Sequence, residues 1–279
     1  MILVNSHSKA QVCVTSIPKL YSIGEYGEYL TELVMLFQQT REDLREDGTL
    51  WIHVPESEFD GVIQGVPWAV AMALQEDGWY LRSDIIWRTE ESFEYLFLLS
   101  KQRKYFYDNE AVREKAKTVP HARGRVAVDD PTRKARSQNV SDVNRVFSPD
   151  GKRNLHSVWS QDFEAILEKC IRAGTSERGG CEKCGKPWKR KMEKVKSGQA
   201  SDASQRAVKL GHTTTGPTSR RDVYPDVKVT VGWEPQCKCE AKPLPQIVLD
   251  PFNKVEVQRI ASKLGRQYAT QRRRVLEMV

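Results

Sequence analysis

The sequence predicts an α/β fold built on an open sheet, and three observations carry that prediction. Short runs rich in aliphatic, β-branched and aromatic residues recur at 11–15, 49–54, 80–87, 95–99 and 246–250. Segments with apolar residues at helical spacing alternate with them. Turn and helix-start residues stand at the joints, Asp47-Gly48 and Pro67 among them. Strand and helix in alternation is the rhythm of a sheet covered by helices. The chain has 279 residues and is 39% hydrophobic, enough for one large domain or a domain with inserts.

Gln11-Val12-Cys13-Val14-Thr15 is short and apolar, as a buried strand requires. From 28 to 44, Leu30, Leu33, Val34, Phe37 and Leu44 fall near one helical face, and Asp47-Gly48 is expected to close that helix. Residues 49–54 read as the next strand. The second helix, 66–75, tolerates Pro67 because the first turn of a helix has no use for that N–H. Two strands follow at 80–87 and 95–99, a helix at 163–171, a buried strand at 246–250 and a final helix at about 255–264.

Charge divides the chain. Residues 1–100 carry 6 Lys/Arg against 16 Asp/Glu, while the remainder carries 38 against 21. An acidic body with a basic face suits a polyanionic partner, although such charge also serves solubility alone. The segment 101–153 holds 14 Lys/Arg against 7 Asp/Glu, with little periodicity and with Pro120, Gly124, Pro131, Pro149 and Gly151 interrupting it. It reads as a long basic insert.

Of six cysteines, four form close pairs, Cys181-x-x-Cys184 and Cys237-x-Cys239. Four thiolates suit a closed tetrahedral zinc site, and Trp188 and Trp233 stand beside the two halves. The alternative is a set of reduced cysteines in a loop. Cys13 is expected in the core, Cys170 on a helix, and His212 at the surface. No apolar run is long enough to span a membrane, and Met1 to Val4 is followed at once by polar residues, so the cytoplasm is the expected compartment.

Several segments resemble the prokaryotic and phage DNA methyltransferases that act on exocyclic amino groups of adenine or cytosine. The similarity is to the permuted class, with the catalytic motif first and the cofactor motif last. It is carried by L-R-E-D-G-T-L-W-I-H-V (44–54), G-V-P-W-A-V-A-M-A-L-Q-E-D-G-W-Y-L-R-S-D-I-I-W (65–87), E-Y-L-F-L-L-S-K (94–101) and C-I-R-A-G-T-S-E-R-G-G-C-E-K-C-G-K-P-W (170–188). V-L-D-P-F (248–252) and K-L-G-R (263–266) complete it. The resemblance implies a Rossmann-like methyltransferase sheet, to which the charge and cysteine patterns add a basic insert and a small zinc ribbon. It implies a catalytic-half part at 1–100, a recognition insert at 101–156, a returning helix at 157–180, a zinc ribbon with a polar tract at 181–245 and a cofactor half at 246–279.

The chemistry segments depart from the family. Its catalytic motif is Asp, Asn or Ser followed by Pro-Pro and an aromatic residue. Here Ser16 and Pro18 are kept, Ile17 replaces the first proline and Lys19 replaces the aromatic, with Tyr21 two residues later. Its cofactor motif is Asp-Pro-Phe-x-Gly-x-Gly, in which the glycines let the backbone turn closely beneath S-adenosylmethionine. Here Asp250, Pro251 and Phe252 are followed by Asn253, Lys254, Val255 and Glu256. No acid stands at 268–272, where the family holds the ribose. The Phe-Pro segment that walls the cofactor pocket is shortened to 160–169. These losses lead to the expectation of a non-enzyme that has no use for S-adenosylmethionine and binds double-stranded DNA as a regulator or site occluder, with a homodimer as its expected assembly.

By family placement, DNA contacts are expected from Arg123, Arg125, Arg133, Lys134, Arg136, Arg145, Lys152 and Arg153, and by their pairing zinc ligation is expected from Cys181, Cys184, Cys237 and Cys239. Two alternatives are an active divergent S-adenosylmethionine-dependent enzyme and a non-catalytic subunit or inhibitor of a DNA-binding protein.

Overall fold

The computed structural model describes residues 9–90, 92–115, 152–195, 227–252 and 255–269. Its centre is a seven-stranded sheet of β1 (Ala10–Ser16), β2 (Leu44–Val54), β3 (Tyr80–Arg88), β4 (Phe93–Ser100), β5 (Val158–Trp159), β6 (Ile247–Leu249) and β7 (Gln267–Ala269), in the order β7-β6-β1-β2-β4-β3-β5. β1 runs parallel to β2 and β6, β6 to β7, and β3 to β5. β4 is antiparallel to both neighbours, β2 and β3.

Helices cover both faces. α1 (Tyr26–Asp43) and α2 (Val66–Glu76) bury Leu33, Phe37, Val70 and Leu74 against Cys13, Leu50, Ile52, Phe97 and Leu99. The opposite face receives α4 (Phe163–Gly174), which packs beside α5 (Val255–Lys263) and the short α3 (Asn109–Val112). α4 starts on Asp162, whose carboxylate accepts the Ala165 N–H at 2.8 Å. It buries Ile166, Leu167, Cys170 and Ile171 on one stripe. Alternation along the strands therefore sends Cys13, Leu50 and Ile52 one way and Val12 the other.

Two boundaries differ from the sequence reading. α1 ends at Asp43, and the chain enters β2 at Leu44, so Asp47-Gly48 lies inside a strand. The β1–β2 register shifts between Ala10 and Val12, and a Cβ on Gly48 would stand 3.0 Å from the Gln11 carbonyl oxygen. The glycine marks an irregular ladder with close backbone approach, and not a helix stop.

A buried polar chain ties the start of the sheet to the end of α4. Gln11 Nε2 donates to the Asp47 carbonyl at 3.3 Å, Gln246 Nε2 to Gln11 Oε1 at 2.9 Å, and the Ser176 N–H to Gln246 Oε1 at 2.6 Å. Each amide in this chain is satisfied by the next, which fixes β6 beside β1. Gly174 closes the same region, since a Cβ there would stand 2.6 Å from Val12 Cγ2 and 2.9 Å from Thr49 Oγ1. Gly174→Ala is expected to cost about 1–3 kcal/mol by overpacking. Urea unfolding checks it, and Val12→Ala in the same chain should return most of the loss.

The chain divides into two compact units. The first comprises Met1–Val112, His156–Lys189 and Trp233–Val279, and the second Arg113–Leu155 and Arg190–Gly232. In the second unit Glu114–Lys115 pairs antiparallel with Lys152–Arg153. Among the described residues no helix is long and apolar enough to cross a membrane.

Candidate active site and thiol cluster

Ligands of open parallel sheets gather at the carboxyl ends of strands, where the strand order reverses. In this sheet the chain moves from β1 to β2 on one side and from β6 to β7 on the other. The reversal therefore lies between β1 and β6. At that point Thr15 Oγ1 donates to Asp250 Oδ1 at 2.7 Å. Asp250 is fully buried, and the same Oδ1 accepts the Phe252 N–H at 3.0 Å. The turn after β6 is thus held by the Asp250 carboxylate and leads into α5.

Ser16, the residue after Thr15, ends β1. Its Oγ lies 2.8 Å from His53 Nδ1, and His53 Nε2 lies 2.6 Å from Glu94 Oε2. The three residues come from three neighbouring strands, β1, β2 and β4. His53 is 8% exposed. The edge of its ring meets Trp87 at 5.3 Å and Phe163 at 5.8 Å, and those two rings stack on each other at 5.3 Å. Trp87 is held in turn by its indole N–H, which donates to the Gln161 carbonyl at 3.0 Å. The hydrogen bond to His53 holds the Glu94 carboxyl below the usual carboxylate range against the opposing effect of burial, and the charges of His53 and Lys19 act in the same direction.

The altered motif has a structural account. The Ile17 N–H donates to the His53 carbonyl at 3.1 Å, extending the β1–β2 ladder past Ser16. A proline has no N–H and could not do this. The Ile17 side chain is buried in the core. Tyr29 Oη donates to the Pro18 carbonyl at 2.8 Å and Ser57 Oγ to the Leu20 carbonyl at 3.0 Å, so the loop is pinned on both sides of the exposed Lys19. Tyr21 is 82% exposed.

The four paired cysteines meet. The Sγ atoms of Cys181, Cys184, Cys237 and Cys239 all lie within 4.8 Å of one another. Burial pushes the Cys181 thiol up, but backbone N–H groups at Cys184 and Lys183, together with the Cys237 and Cys184 thiols, outweigh it and bring it down to about 7. The Cys184 and Cys237 thiols push Cys239 up to about 12. One thiolate is favoured at the expense of the others, so four together require a cation. Cys13 is buried in the core and Cys170 lies on α4, as expected.

Of the expected DNA contacts, Arg123, Arg125, Arg133, Lys134, Arg136 and Arg145 lie outside the described residues, as does His212. Lys152 is exposed, and Arg153 Nη2 bonds Glu114 Oε2 at 3.2 Å. Asn253 and Lys254 are also outside, as is the Glu256 side chain. His53 and Glu94 were missed by sequence reasoning. A histidine inside a hydrophobic strand, W-I-H-V, was the available signal.

A family model described as DNA methylase matches residues 15–181, more than half of the chain. The Type II methyltransferase M.SmaI of Serratia marcescens is 34% identical over 157 residues, covering 37% of this chain and 54% of the relative. M.Cfr9I of Citrobacter freundii, also named a Type II methyltransferase, is 32% identical over 155 residues, covering 37% and 52%. The chain spans about half the length of the curated relatives it matches. Among solved structures it is similar to the cytosine-N4-specific PvuII DNA methyltransferase, at 12% identity and TM-score 0.47, covering 95% of this chain and 76% of that one. A second is a DNA modification methylase of Thermus thermophilus complexed with S-adenosyl-L-methionine, at 14% identity and TM-score 0.46, covering 95% and 82%.

These findings correct two expectations. The relatives that align with this chain at 31–34% identity are named methyltransferases, which points to an enzyme and removes the basis of the inactive regulator. The expectation that S-adenosylmethionine plays no part rested on the same reading of the motifs and is overturned with it. The physical reason lies in the altered motif: Ile17 secures Ser16 through its backbone N–H, and Asp250 still orders the turn after β6, so losing the proline and the aromatic did not dismantle the crevice. The chain belongs to the DNA methylase family.

Proposed function

We propose that this chain transfers a methyl group from S-adenosylmethionine to an exocyclic amino group of adenine or cytosine in DNA. The observation that carries this reading is the placement of Ser16 and Asp250 at the carboxyl ends of β1 and β6, the two strands flanking the reversal of strand order. The methyl donor supplies an electrophilic carbon on a sulfonium: the amino nitrogen forms the new bond, the sulfur keeps the electron pair of the old one, and the nitrogen sheds a proton. The Asp250 turn, Phe252 and the start of α5 are the residues that would hold the donor, since they line the end of β6. Ser16 Oγ is the group that accepts a hydrogen bond from the target amino nitrogen and turns its lone pair toward the methyl carbon.

The basic insert, with Lys152 and Arg153 at its end, is the proposed DNA contact surface, neutralising phosphates and releasing counterions. Zinc is the proposed occupant of the thiol cluster, because four sulfur ligands at that spacing suit a closed tetrahedral site.

Incubating the pure protein with S-adenosylmethionine labelled in the methyl group, and with genomic DNA of varied composition, tests the reading. Label is expected in N4-methylcytosine or N6-methyladenine after digestion. No label in any DNA, with no heat of donor binding in calorimetry, would remove the proposal.

A further inference from the structure

We propose that His53, oriented by Glu94, is the proton acceptor of this site and takes, through Ser16 Oγ, the proton that the target amino nitrogen releases. The inference rests on the transferase reading of the crevice and deepens it. As the new N–C bond forms, the nitrogen becomes cationic and must lose one proton. A serine hydroxyl by itself is a poor acceptor of that proton. Here the hydroxyl oxygen can accept from the amino group while its own proton passes to His53 Nδ1, 2.8 Å away. The ring that results is cationic, and Glu94 Oε2 stands 2.6 Å from its other nitrogen. The proton lost by the amino group is thus matched by one gained at Nδ1, with Ser16 unchanged at the end.

Three features separate this chain of groups from a merely buried histidine. It is linear, with a hydroxyl at the crevice, an imidazole behind it and a carboxylate at the rear, the order needed to move a proton away from the reacting atom. The ring is held by more than its hydrogen bonds, since Trp87 and Phe163 both make T-shaped contacts with it. The third feature is the Ile17 N–H bond to the His53 carbonyl, which clamps the backbone of the acceptor to the backbone beside Ser16. A proline at position 17, lacking an N–H, could not form this clamp. The charged group bonded to the ring is Glu94 from β4, and the charge of Lys19, from the loop after β1, acts on that carboxylate.

The test has two arms. In the first, nitrogen-15 spectra of the wild-type imidazole are expected to show the proton on Nε2, toward Glu94, leaving Nδ1 free to accept from Ser16. Glu94→Gln, nearly isosteric, is expected to change that preference. A wild-type ring protonated on Nδ1 alone would overturn the proposal whether or not the protein is active. In the second arm, His53→Ala is expected to lower kcat by on the order of 10²–10⁴-fold with little change in KM for DNA. Added free imidazole is expected to restore kcat at least about tenfold. Full kcat in His53→Ala would also overturn it. If the wild-type protein transfers no methyl group, the transferase reading falls, and the tautomer still decides whether His53 can accept from Ser16.

Discussion

Asp250→Ala is expected to reduce methyl transfer by at least about 100-fold and to lower stability by about 2–6 kcal/mol. The stability loss follows from two donors left behind in a fully buried place, Thr15 Oγ1 and the Phe252 N–H, each costing about 1–3 kcal/mol when unpartnered. The rate loss follows from position. The carboxylate joins the ends of β1 and β6, and a shift of about 1 Å in groups that orient a reacting pair costs about 10²-fold. Urea unfolding and calorimetry with S-adenosylmethionine separate the two effects. Asp250→Asn keeps an acceptor for both donors, so it should recover most of the stability and less of the donor affinity. An alanine variant with wild-type donor affinity would mean that the donor sits elsewhere.

If zinc fills the thiol cluster as proposed, its removal is expected to have the larger structural effect. Zinc held by four thiolates contributes on the order of 10–16 kcal/mol to the folding of a small site, more than any hydrogen bond here. Elemental analysis should give one zinc per chain, and a chelator or Cys184→Ser should lower Tm and alter Trp188 fluorescence. The damage should reach the crevice. Gly180 and Cys181 pair with Leu244 and Pro243, and Gln246, at the entrance to β6, accepts the Ser176 N–H. Methyl transfer should therefore fall with the metal content. A metal-free protein with unchanged Tm would show that the four sulfurs meet for another reason.

The helices, the buried strands and the thiol cluster were legible in sequence because each has a local signature. Leu33 and Phe37 recur at helical spacing, β2 ends in an unbroken buried run, and Cys-x-x-Cys constrains its own sulfurs. Val158–Trp159 gave no such signal, since two residues carry no period. Gly48 misled for a different reason: a glycine that allows close backbone approach in a ladder looks the same in sequence as one that ends a helix.

The site was harder to read. Ser16 and Asp250 lie in recognisable motifs, but His53 and Glu94 acquire meaning only when β2 and β4 pair antiparallel beside β1. Reading Ile17 as damage weighed the lost proline ring and not the amide gained. The backbone donor replaced there has no letter of its own in a sequence.

The bond from Thr15 to Asp250 spans 235 positions of sequence. β1 precedes the other strands of the sheet in the chain, yet it lies in the sheet's interior, and one of its flanks is completed only by β6. At roughly 5–20 residues per second, the ribosome keeps that flank waiting on the order of tens of seconds. During that time an apolar edge with unpaired backbone groups is open to any passing strand. Newborn chains are therefore adhesive until β6 emerges, and the yield of folded protein should depend on translation speed and on chaperones as well as on the stability finally reached.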